Sequence, residues 1–146
     1  MTAPDPAPHP GRPRSVVICD DRAQIRNSLR QVLGHCTDIT LVGEAWDLDT
    51  CADQVRRHRP DLLILDVNIP GGGGVDAARS AKTISPGTTI VAYSGRQEQA
   101  VVEAMLSAGS DYFVLKTGRI KPLLDALRSA VPAGTAANVP TADRPR

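Results

Sequence analysis

Residues 62–74 read Leu62-Leu63-Ile64-Leu65-Asp66-Val67-Asn68-Ile69-Pro70-Gly71-Gly72-Gly73-Gly74. Four consecutive aliphatic residues end at a carboxylate, and a turn rich in Pro and Gly follows. A run that is apolar at every position, rather than at alternate ones, predicts a strand covered on both faces, as in parallel sheets. Working outward, the same alternation of strand and helix recurs. Residues 15–19 (Ser-Val-Val-Ile-Cys) predict a strand, and the helix after it carries Ile25, Leu29, Val32, Leu33 and Cys36 on one stripe. Residues 40–45 predict a second strand, followed by a helix with Leu48, Ala52 and Val55 that stops before Pro60. On the other side, an Ala-rich helix over 75–84 ends at Ser85-Pro86-Gly87. Residues 88–93 predict a fourth strand and the stretch to Ser107 a helix. Residues 112–115 predict the fifth strand, and 120–130 the last helix. Strands alternating with helices define an α/β, doubly wound parallel sheet with helices on both faces.

The chain has 146 residues, enough for one domain of ordinary size. Its 17 Lys+Arg against 16 Asp+Glu give no charge-based reason to expect a nucleic-acid or membrane-surface binder. The run 62–65 is the longest uninterrupted aliphatic stretch, far short of a membrane span. Residues 1–14, MTAPDPAPHPGRPR, lack the apolar centre of a secretory signal. Cys19, Cys36 and Cys51 form no CxxC pair, and His9, His35 and His58 show no metal-ligand spacing. Free thiols and a cytoplasmic location are the expectation. Five of the twelve prolines lie in 1–14 and three in 132–146, so both ends are expected to be disordered tails around a domain at 15–131. Residues 132–146 are too few for a DNA-binding output module, so action through protein contacts is expected.

A doubly wound sheet binds its ligand beyond the carboxyl ends of its strands. The first predicted strand ends in Asp20-Asp21, the third in Asp66, the fourth in Ser94 and the fifth in Lys116. The second ends in Glu44-Ala45-Trp46. In a sheet of order 2-1-3-4-5 the other four strands are consecutive neighbours. Singly, each residue has an ordinary reading. Asp20 or Asp21 would cap a helix, Ser94 with Gln97 would form a capping box, and Lys116 would be a solvated charge. Together they surround one crevice. Two carboxylates about 5 Å apart repel by about 3 kcal/mol at an effective dielectric of about 20. Such a cluster binds a cation or takes up a proton, and hard oxygen ligands suit Mg²⁺. A carboxylate there can act as nucleophile toward phosphorus, with Lys116 and Ser94 serving the phosphoryl oxygens. The glycine run has no Lys-Ser/Thr ending of a phosphate-binding loop. Arg56-Arg57-His58-Arg59 falls at a helix C-terminus, which suits cations. Trp46 reads as a packing residue.

These residues resemble the receiver domain of two-component response regulators over about residues 15–131. The acidic pair Asp20-Asp21, Asp66, Ser94 and Lys116 match in order, as does Asp66-Val67-Asn68-Ile69-Pro70 followed by Gly74. The resemblance implies a phosphorylation-dependent signalling switch rather than an enzyme, with Asp66 accepting a phosphoryl group from a histidine kinase or phosphotransfer protein. It implies Mg²⁺ held by Asp21, Asp66 and the Asn68 backbone carbonyl, with Asp20 acting through a metal-bound water. It implies that Ser94 turns toward the phosphoryl group and makes room for Phe113, reshaping the face of helix four, strand five and helix five for a protein target or a second copy. Asn68 and Arg96 occupy the positions that tune how long the phosphoryl group lasts. Three features depart from the family pattern: the run Gly71–Gly74, expected to make a mobile loop, Thr117 in place of a proline after Lys116, and Phe113 without a tyrosine hydroxyl. Two rivals are a receiver-like module that binds without phosphorylation and an aspartyl phosphotransferase or phosphatase, which would want a second acid where Asn68 stands.

Overall fold

The computed structural model describes residues 12–130. The stretches 1–11 and 132–146, with Val131, lie outside the described residues. Five strands alternate with five helices: β1 Arg14–Cys19, α1 Ala23–Gly34, β2 Ile39–Ala45, α2 Leu48–His58, β3 Leu62–Leu65, α3 Gly73–Ile84, β4 Thr89–Ser94, α4 Gln99–Ala108, β5 Tyr112–Leu115 and α5 Lys121–Ser129. All four strand pairings are parallel, and the sheet order is β2-β1-β3-β4-β5.

Strand alternation divides the core in two. Val16, Ile18, Leu62, Ile64, Val91, Tyr93, Tyr112 and Val114 face α1 and α5, where Leu29, Leu33, Leu123 and Leu127 meet them. Val17, Cys19, Leu63, Leu65, Ile90 and Ala92 face Cys51 and Val55 of α2, three alanines of α3, and Met105 of α4. Burying each large aliphatic side chain is worth about 1.5–3 kcal/mol, so both covered faces are needed. The small residues Ala77, Ala78 and Ala81 let α3 lie close against the sheet. Cys19, Cys36 and Cys51 are free. Contact with Cys51 and burial hold the Cys19 thiol well above its usual range, in its neutral form.

Several boundaries differ from the sequence reading. β1 starts at Arg14, inside the stretch expected to be a tail, because its guanidinium donates to the carbonyls of Leu127 and Ala130 and closes the end of α5. α1 stops at Gly34, so Cys36 lies beyond it while still packing on the core. In α2 the fully buried positions are Cys51 and Val55, and Ala52 is half-buried. α3 begins at Gly73, two residues early, and Thr88 precedes β4 with its hydroxyl donating to the Pro60 carbonyl. Among the described residues no peptide bond is cis, so the Lys116–Thr117 bond is trans.

Candidate functional site

The sheet's hydrogen-bond ladder runs one residue past the strand ends and fixes the site. Asp20 N–H donates to the Ala45 carbonyl (3.0 Å), Asp66 N–H to Cys19 (2.9 Å) and Lys116 N–H to Ser94 (2.7 Å). Cys19 pairs with Leu65 across the sheet, which sets Asp20 beside Asp66. Asp20, Asp21 and Asp66 each bring a carboxylate oxygen within 4.8 Å of the others. Asp20 and Asp66 are buried, at 2% and 4% exposure, while Asp21 is open to solvent. An open pocket of about 310 Å³ is lined by Asp21, Arg22, Asp66, Asn68, Gly95 and Lys116. A larger groove, about 620 Å³, follows the β2 edge beside α1. Its Arg30 and Glu44 are already paired at 2.7 Å, and it lacks a cluster of reactive groups.

Lys116 bridges the buried acids, with Nζ 2.7 Å from Asp20 Oδ2 and 3.4 Å from Asp66 Oδ1. Asp20 Oδ1 also accepts the Arg22 N–H at 2.9 Å, and the Asp20 carbonyl accepts from the Arg26 guanidinium at 2.7 Å. Burial raises the pKa of the Asp66 carboxyl from its ordinary value; Lys116 opposes this, Asp20 reinforces it, and a hydrogen bond from the Asn68 backbone opposes it. Three carboxylates served by one ammonium leave an excess of negative charge. Those oxygens fit a hard divalent cation with water completing its shell.

The ordinary readings of these residues do not hold. Arg22 is the N-cap of α1 and Glu98 that of α4, neither with a side-chain cap bond, so Asp20, Asp21 and Ser94 are not caps. Ser94 is fully buried, and its Oγ accepts the Arg96 N–H at 3.0 Å. Phe113 is half-buried and packs on the same face of the sheet as Ala92. Arg96 reaches Glu98 at 3.3 Å rather than the pocket. Trp46 corrects the sequence reading: it is 49% exposed, because it follows the last residue of β2 at the sheet's rim, where no core layer remains. The Arg26 guanidinium lies 5.7 Å from its ring centre. Tyr93 enters the sequence reading only as the last residue of the fourth strand, yet its ring centre lies 5.5 Å from Lys116 Nζ. The signal was its place one residue before Ser94.

Five parallel strands in this order, with an acidic cluster and a lysine at their carboxyl edge, define a doubly wound domain whose crevice suits a cation and an anionic group. A family model described as the response regulator receiver domain matches residues 16–128, and the chain belongs to that family. Transcriptional regulatory protein PdtaR of Mycobacterium tuberculosis is 35% identical over 133 residues, covering 90% of this chain and 63% of that protein. Nitrate/nitrite response regulator protein NarL of Escherichia coli is 30% identical over 118 residues, covering 81% of this chain and 55% of that protein. The chain thus spans little more than half the length of these relatives. The signal receiver domain of the response regulator NarL from Mycobacterium tuberculosis superposes with a TM-score of 0.74 at 27% identity, covering 80% of this chain and 94% of that one. The chain is thus a response regulator receiver domain. Among the described residues no helix is long and apolar enough to cross a membrane.

Proposed function

We propose that Asp66 is the phosphoacceptor of this receiver domain and that the phosphoryl group comes from a phosphohistidine of a sensor kinase or phosphotransfer protein. The observation that carries the reading is Lys116, held within 3.4 Å of a buried carboxylate that also borders an open pocket. One Asp66 oxygen attacks phosphorus, the P–N bond to the donor imidazole breaks, and its electron pair stays on that ring. Asp21, Asp66 and the Asn68 carbonyl would hold Mg²⁺, with Asp20 bonded to it through water. The cation supplies charge neutralisation between the carboxylates and the incoming phosphoryl group. Lys116 then exchanges a carboxylate oxygen for a phosphoryl oxygen. Ser94 gives up the Arg96 N–H to donate to that group, and Phe113 follows. The changed face of α4, β5 and α5 meets a protein target or a second copy. That is a local charge event read out through a two-state element.

Incubation with a small phosphodonor and Mg²⁺ should add the mass of one phosphoryl group to the intact chain. Asp66→Asn should abolish that increase, and an equal increase in this variant would reject the assignment. No increase in the unaltered chain would instead favour a receiver-like module that binds without phosphorylation.

The lifetime of the phosphoryl group is set by the residues that flank the attacking water, here Asn68 and Arg96. Arg96 must leave Glu98 to shield the phosphoryl oxygens. Arg96→Ala should shorten the half-life of the phosphorylated protein by about tenfold or more, given the roughly 1.5–3 kcal/mol typical of charge-assisted hydrogen bonds. An unchanged half-life would remove Arg96 from that role.

A further inference from the structure

We infer that Tyr93 is a positioning residue for Lys116: its ring holds the ammonium over the acidic cluster, so that Lys116 is in place when a phosphoryl group arrives. The inference rests on the reading of Asp66 as the phosphoacceptor. It starts from strand parity. Tyr93 shares the core face of Val16, Ile18, Leu62 and Ile64. Continuing that alternation, Asp20 stands two residues after Ile18, and Asp66 two after Ile64. Tyr93 of β4 pairs with Val114 of β5, and Lys116 lies two residues further along the same face. An aromatic ring reaches such a diagonal neighbour across a sheet.

The contact is within cation–π range and largely dry. Lys116 Nζ is 5.5 Å from the ring centre, the Lys116 side chain is 13% exposed and Tyr93 is 7% exposed. The face of an aromatic ring attracts a cation most strongly where water is excluded. Asp20 and Asp66 also attract the ammonium, at 2.7 and 3.4 Å. Those carboxylates are the groups that a divalent cation would neutralise. Once they serve the cation, their hold on Lys116 weakens and the two positive charges repel. The ring carries no formal charge, so its attraction persists. Tyr93 thereby keeps the lysine beside Asp66 at the moment when its other partners are engaged. The ring is sufficient for this, and the hydroxyl is not required.

The test compares Tyr93→Phe, which keeps the ring, with Tyr93→Leu, which keeps an apolar side chain without one. The rate of Asp66 phosphorylation from a small phosphodonor with saturating Mg²⁺ is the readout, with thermal denaturation to show that each variant is folded. Tyr93→Phe should match the unaltered chain, whereas Tyr93→Leu should be about tenfold slower, the size of a desolvated cation–π contact. Repeating Tyr93→Leu on a Lys116→Ala background should then add no further slowing, because the effect acts through the lysine. A packing role alone would slow both backgrounds equally or neither, and either result overturns the inference. Equal rates for the unaltered chain and Tyr93→Leu also overturn it. A chain that takes up no phosphoryl group at all would instead reject the reading of Asp66.

Discussion

Asp66 combines two demands that oppose each other, burial and charge. Desolvation first, and Asp20 in support, raise its pKa above the ordinary carboxylate value, although Lys116 opposes the shift. A carboxyl whose pKa is raised by folding binds its proton more tightly in the native state. Its stabilising contribution is present at acid pH and lost as the pH climbs through the raised pKa. In the metal-free protein, Asp66→Asn should therefore raise the melting temperature at neutral pH. That gap should shrink below the ordinary carboxylate range, where Asp66 is protonated in both states. Melting curves across pH test this, and a lower melting temperature for the variant at pH 7 would contradict it. The acidic pair divides its labour in a comparable way. Asp20 is buried and occupied by Lys116 and the Arg22 N–H, while Asp21 faces solvent at the pocket's edge. Mg²⁺ titration should show Asp20→Ala weaker by about tenfold, the lower end of the effect of an outer-shell partner, and Asp21→Ala weaker still. At this scale sequence was informative wherever chemistry was unusual for its place, as with Asp20, Asp66 and Lys116. It was silent on Tyr93 and wrong on Trp46, because an aromatic residue at a strand end reads as core until neighbours in space are known.

The turn between β3 and α3 shows what glycine does at two adjacent positions. A Cβ on Gly74 would lie 2.7 Å from Val67 Cα and 2.8 Å from the Asp66 carbonyl oxygen, both backbone atoms that cannot step aside. Gly74 N–H donates to the Val67 carbonyl at 2.7 Å, so the start of α3 rests on the segment that carries Asp66. Gly73 has φ of 79°, and a Cβ there would meet only the Val67 carbonyl oxygen at 3.6 Å. Gly74→Ala should thus destabilise by about 1–3 kcal/mol through overpacking and slow phosphorylation by displacing Asp66. Gly73→Ala should cost about 1–2 kcal/mol for its left-handed backbone with little change in the phosphorylation rate per folded molecule. Urea denaturation alongside phosphorylation kinetics separates the two, and identical kinetic losses would defeat the distinction. Periodicity placed every strand and helix. It missed the start of α3, because a glycine run signals a loop locally, while the bond from Gly73 N–H to the Ile69 carbonyl and the packing of α3 on the sheet settle the matter in three dimensions.

Across the whole molecule, the sheet is a wall between two cores, and the site stands on its upper edge. Leu127 of α5 belongs to one core and Met105 of α4 to the other, both fully buried. Leu127→Ala and Met105→Ala should each cost about 2–5 kcal/mol. With a sheet between them, their combination should equal the sum within about 0.5 kcal/mol. Denaturant melts of the three variants check this, and a clear departure from the sum would show that the two cores are coupled through the strands. Trp46 is the single tryptophan of the chain, half open to water, with Arg26 over its ring. The same guanidinium donates to the carbonyl of Asp20. A shift of the acidic loop that moves the Asp20 carbonyl should therefore reach the indole through Arg26 and change its ultraviolet emission, and an emission that stays constant on phosphorylation would contradict this. The protein carries its own optical gauge of its reactive edge, readable in real time with no dye or label attached.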